Sequence, residues 1–152
     1  MDLISAIKQD IWIPFMEAYR DYDEEKLKSI HTEDILRINI DNNQIRYGAP
    51  YLNEFAAFLP RMKQNGDKVG IAFVILTTAF NNTKEIAYQT GYYQFQMQSM
   101  EEEAISPRGY GYFHVGLRKE KDVWKIFLDS DKKADLNTAQ FKGGNTVYEL
   151  EN

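Results

Sequence analysis

The chain has 152 residues, 43% hydrophobic and 27% charged, the balance of one soluble domain with one core. Its net charge of -5 leaves no basic stripe to neutralise phosphates, which argues against nucleic acid and against an anionic membrane surface. The absence of cysteine excludes disulfides, thiolate metal sites and thiol nucleophiles, and no metal or cofactor is expected.

The N-terminal segment meets Lys8 and Asp10 before any apolar run builds, so it does not read as an export signal, and a cytoplasmic location is expected. No later run reaches the roughly 18 apolar residues of a membrane helix. Ile4, Ile7, Ile11, Phe15, Ala18, Tyr19 and Tyr22 recur at three- and four-residue spacing and predict an amphipathic helix, with Pro14 either kinking it or sitting in its first turn. Asp23 suits the cap of a second short helix, with Glu24 and Glu25 in its first turn.

Alternation predicts a strand over Ile35–Ile40, a turn at Asp41-Asn42-Asn43 and a short strand from Gln44 to Tyr47. Pro50 then opens a helix with Leu52, Phe55, Ala56 and Leu59 on its face, ended by Pro60 and Gly66. Two long strands follow, about Val69–Phe80 and Ile86–Met97; in the second, Gln94, Gln96 and Gln98 oppose Tyr93, Phe95 and Met97. Gly109 to Asp131 reads as a hairpin turning at Glu120–Asp122, with Trp124, Ile126 and Leu128 as the buried set of its second arm. Residues 1–133 make one domain, and 134–152 a polar appendage with a short helix near Thr138–Phe141.

Helices first and a curved antiparallel sheet later is an α+β layout. Four stretches carry a resemblance: Phe15-Met16-Glu17-Ala18-Tyr19 with Asp23, Asp34 before the first strand, Thr90-Gly91-Tyr92-Tyr93, and Val123-Trp124-Lys125-Ile126 in the last hairpin. In order and spacing they resemble the NTF2-like cone fold, in the branch of small bacterial SnoaL-like or DUF4440-type proteins. The resemblance covers roughly residues 8 to 131 and implies N-terminal helices packed on a strongly curved sheet, a cone-shaped pocket and a homodimer through the sheet. The fold hosts isomerases, cyclases, hydro-lyases and plain binding modules, so it does not name a reaction.

Ketosteroid isomerase, the best understood enzyme of this fold, uses a carboxylate base with a Tyr and a protonated Asp as donors. The corresponding positions here fall at Asn39, Phe15 and near His114, which argues against that chemistry.

His114 is the catalytic candidate, an imidazole on a strand face with Tyr112 and Arg118, and Asp129 or Asp131 would be its carboxylate. The plainer assignments are a hydrogen-bonded outer His and a charged strand end. Asp129 and Asp131 could also grip a cation. Arg37 and Asn39 face solvent if Leu36, Ile38 and Ile40 form the buried face; in a cone they would look inward, where Arg forks around a carboxylate. Tyr19, Arg37, Asn39, Tyr47, Tyr93 and Tyr112 are the candidate ligand-lining residues. Three functions stay open: binding a small apolar or carboxylated molecule, an isomerase, cyclase or hydro-lyase built on His114, and a structural dimerisation domain.

Overall fold

The computed structural model describes residues 2–150. Its opening helix is one continuous rod in three pieces: α1 (Leu3–Ile7), a π-helical turn (Lys8–Trp12) and α2 (Ile13–Asp21). Proline has no amide to donate, and its ring clashes with the carbonyl four residues back. The wider π turn, in which the Ile13 N–H reaches back to the Lys8 carbonyl, absorbs Pro14 without breaking the rod. It also sets Trp12 and Phe15 on the buried side. The Asp23 side chain caps α3 (Glu24–Ser29) by accepting from the Lys26 N–H at 3.0 Å.

The sheet comprises β1 (His31–Asn39), β2 (Gln44–Tyr47), β3 (Lys68–Phe80), β4 (Ile86–Gln98), β5 (Ser106–Glu120), β6 (Val123–Ala134) and β7 (Val147–Tyr148). Its order is β2-β1-β6-β5-β4-β3-β7, antiparallel except where β1 runs parallel to β6. Between β2 and β3 lie α4 (Gly48–Ala56) and α5 (Phe58–Asn65). Pro60, expected as a terminator, stands in the first turn of α5, where its missing amide breaks the rod at Ala57; Gly66, at φ +78°, ends it. The hairpin turn is tighter than expected, two residues, Lys121 and Asp122, both at positive φ.

Helices α1 to α5 pack on the concave face, where Ile7, Ile11, Trp12, Leu27, Leu117 and Trp124 are the deepest side chains. Trp124 is core as expected, and its backbone N–H donates to Asp10 of the π turn at 3.0 Å. Trp12 is anchored in turn by Gln89, whose Oε1 accepts from the indole at 2.8 Å. The tail does more than trail: α6 (Thr138–Lys142), capped by Asn137, drops Phe141 on Ala72 and Val74 of the convex face, and β7 pairs with β3. Among the described residues no helix is long and apolar enough to cross a membrane.

Candidate functional site

The cone encloses a cavity of about 810 Å³. Its buried end is aromatic. Trp12 lies 4.6 Å from Phe73 and 5.3 Å from Phe113, ring centre to ring centre, and Phe15 lies 5.1 Å from Phe73. The upper wall carries Tyr19, Tyr51 and Tyr93, with Phe55, Phe58 and Phe95 between them. None of these three tyrosine hydroxyls bonds to another described side chain, and none is sealed from the cavity. Burial pushes the phenols of Tyr19 and Tyr51 up from their ordinary value and that of Tyr93 to about 12, so all three stay protonated as donors near neutral pH.

One wall is ionic. Arg37 Nη2 donates to Asp131 Oδ1 at 2.6 Å, and Nη1 lies 3.5 Å from Asp129 Oδ2. Burial works against the guanidinium charge, but the two carboxylates more than offset it and keep Arg37 protonated. Burial also lifts the Asp129 carboxyl to about 6, with Arg37 opposing the rise. Asp129 thus changes charge close to physiological pH, as a general acid or base must.

These placements decide two alternatives that the sequence left open. Arg37 and Asn39 face the cavity rather than solvent, because Ile35 shares their face of β1 and is fully buried, while Leu36 and Ile38 look outward. Asp129 and Asp131 are not a solvated strand end. On β6, Leu117 of β5 pairs with Ile126 and Gly116 with Leu128, leaving Phe127 as an extra residue in a β-bulge. The bulge reverses the alternation, so Trp124 and Ile126 point inward before it and Asp129 and Asp131 after it. Leu128, expected beside Trp124 and Ile126, faces out. Arg37 already occupies the space between the two aspartates where a cation was considered. Among the described residues no group of three or more His, Asp or Glu side chains gathers as a metal site.

His114 is outside the cavity. It alternates with Phe113 and Val115, which line it, and pairs across β6 with Ser130, so it turns away from Asp129 and Asp131. Its ring is held instead between Tyr88 and Tyr112 on the convex face, with Nδ1 2.8 Å from the Tyr88 hydroxyl and Nε2 3.0 Å from that of Tyr112. The catalytic pairing of His114 with either aspartate is therefore not made. Tyr112 lies outside with it, and Tyr47 is 70% exposed and off the cavity. Tyr51 was not anticipated from the sequence. The signal was its spacing to Phe55, four residues on, against which its ring stacks at 5.7 Å.

No family model and no curated protein sequence matches the chain. Solved structures do. An NTF2-like protein with a cystatin-like fold from Novosphingobium aromaticivorans superposes with a TM-score of 0.65 at 11% identity, over 90% of this chain and 84% of that one. This is the NTF2-like fold. A ketosteroid isomerase-like protein from Erwinia carotovora (TM-score 0.60, 13% identity, 89% and 98% covered) and ActVI-ORFA from Streptomyces coelicolor (0.70, 11%, 88% and 98%) share it. At these identities the likeness is one of architecture. Within this NTF2-like cone, Phe15 and Asn39 line the cavity as their sequence positions implied, whereas His114 does not.

Proposed function

We propose that the cone binds a small, largely apolar organic molecule bearing a carbonyl or carboxyl group. The observation that supports this is an aromatic cavity on which the hydroxyls of Tyr19, Tyr51 and Tyr93 and the Arg37 guanidinium converge as donors. An apolar chamber with a few convergent polar groups is the usual form of a small-molecule site. A purely structural dimerisation domain has no use for three tyrosine hydroxyls left open to such a chamber. A thermal-shift screen of ring compounds carrying carbonyl or carboxyl groups tests the reading; stabilisation lost in Arg37→Ala supports it, and no stabilising compound rejects it.

A second reading is favoured by Asp129 alone. A carboxyl that titrates near 6 beside tyrosine donors suits proton transfer at a carbon next to a carbonyl, as an isomerase, cyclase or hydro-lyase requires. Asp129 then takes the role first considered for His114. Turnover with a pH midpoint near 6 that disappears in Asp129→Asn separates the enzyme from the binding module.

The same proposal holds the protein to be cytoplasmic, of the SnoaL-like or DUF4440-type branch, and a homodimer. Pairing would run through the sheet, and light scattering that gives only the 17.8 kDa species removes the dimer.

A further inference from the structure

We infer that the ligand is an amphipathic organic anion, seated with its anionic group at the cavity mouth and its uncharged polar group at Arg37. This rests on the small-molecule reading above and specifies the class of molecule and its direction of entry. Charge changes sign along the cavity.

Inside, carboxylates exceed cations: Asp129 and Asp131 share the single Arg37. A further anion brought there would face two carboxylates whose only counter-ion is already bound. A neutral carbonyl or hydroxyl meets no such repulsion, and it finds donors in Arg37 and the tyrosine hydroxyls. At the mouth the balance reverses. The lining side chains there are Arg46, Arg61, Arg108 and Lys133 against Asp41 and Glu54, an excess of cations on a chain whose net charge is -5. Arg46 is paired with Glu54, and Arg108 with Glu102 outside the cavity. Arg61 on α5 and Lys133 on β6 form no ion pair among the described residues, and both are exposed at the opening. Asp41 is the opposing charge, and its Oδ2 accepts from the Lys133 backbone N–H at 2.7 Å. Two cations without ion-pair partners at the opening, above a site that already holds surplus carboxylate, give a ligand one favourable direction.

The test uses two fluorescent probes of nearly equal shape: anilinonaphthalene sulfonate, which is an anion, and the uncharged phenylnaphthylamine. Both should bind one per cavity and displace each other. The sulfonate should bind more tightly at low salt, and its advantage should shrink as salt rises. The double variant Arg61→Gln with Lys133→Gln should weaken the sulfonate roughly 3- to 10-fold, the effect of two partly exposed charges. It should leave phenylnaphthylamine unchanged. Asp41→Asn should act in the opposite sense and tighten the sulfonate alone. All three substitutions are at the surface, so folding is not at issue. If both probes bind equally and ignore the rim changes, the inference fails while the binding cavity stands. Sulfonate that phenylnaphthylamine does not displace is bound elsewhere, and the inference fails again. If neither probe binds, the binding function itself falls.

Discussion

Arg37 and Asp131, 94 residues apart in sequence, meet at 2.6 Å across the parallel pairing of β1 and β6. The pair holds these two strands together from inside the cavity, so the polar wall of the site is also part of the fold. Removing the cation leaves two carboxylates on one face of β6 with nothing to balance them.

Arg37→Met should therefore cost about 3 kcal/mol near neutral pH, within the range for breaking a largely buried pair. The cost should shrink in mild acid, because protonating Asp129 removes the repulsion. Urea denaturation of parent and variant at neutral and mildly acid pH checks this. An equal cost at both would mean that the carboxylates are not the source.

The pH dependence of the parent should be shallower than that of a variant lacking either of two opposing groups, His31 and Asp129. His31 is buried with its Nδ1–H on the Leu27 carbonyl at 2.8 Å, and burial depresses it from 6.5 to about 4. The stability from keeping it neutral is complete above 6.5 and is lost as pH falls towards 4. Asp129, raised from 3.8 to about 6, does the reverse: the native state gains as pH falls through 6 and has gained fully below 3.8. The two contributions have opposite signs over this range. Asp129→Asn removes one side, so its melting temperature should fall steeply between 6.5 and 4. A variant as shallow as the parent would contradict the balance.

Two glycines on β5 separate cavity shape from strand propensity. A Cβ on Gly111 would come within 2.0 Å of the Tyr93 ring, whereas one on Gly109 would touch nothing within 4 Å. Gly111→Ala should displace Tyr93, cost on the order of 1–3 kcal/mol and weaken ligand binding. Gly109→Ala should be neutral or stabilising by up to about 1 kcal/mol. Thermal melts of the two variants, side by side, decide it.

Trp124→Ala should cost about 3–5 kcal/mol in chemical denaturation, since the indole is fully buried beneath the opening helix. A cost below 1 kcal/mol would mean that its environment is not a packed core.

Much of the architecture could be read from residue order because its signals are local. The cap at Asp23, the Asp41-Asn42-Asn43 turn and the alternation in β4 each act within a few residues. The polar wall could not be read that way. Which face of β6 carries Asp129 depends on one unpaired residue, Phe127, and that bulge is set by contacts with β5. Gly116 contributes there, since a Cβ at that position would press on the Phe127 ring. Parity arguments carried through an unseen bulge invert every residue after it. On β1 the ambiguity has another source: apolar residues stand on both faces, and buried Ile35 rather than Leu36 and Ile38 marks the inner one. His114 follows its plainer assignment, a hydrogen-bonded outer residue, because its neighbours Phe113 and Val115 claim the inner face.

The two residues of β7 bear on solubility out of proportion to their number. They pair with Phe73 and Val74, midway along a thirteen-residue strand rich in β-branched and aromatic side chains. A long apolar strand with free amides and carbonyls is a template on which other chains can add. Tyr148 and Val147 interrupt that template at its centre, and the register shift between Ile75 and Thr77 roughens the half beyond it. At the far side of the sheet the border strand, β2, is only four residues long and runs straight into α4. A chain cut before Thr138 would keep its cavity residues but lose this guard. Its characteristic failure would be edge-to-edge aggregation at concentrations where the intact protein stays dispersed.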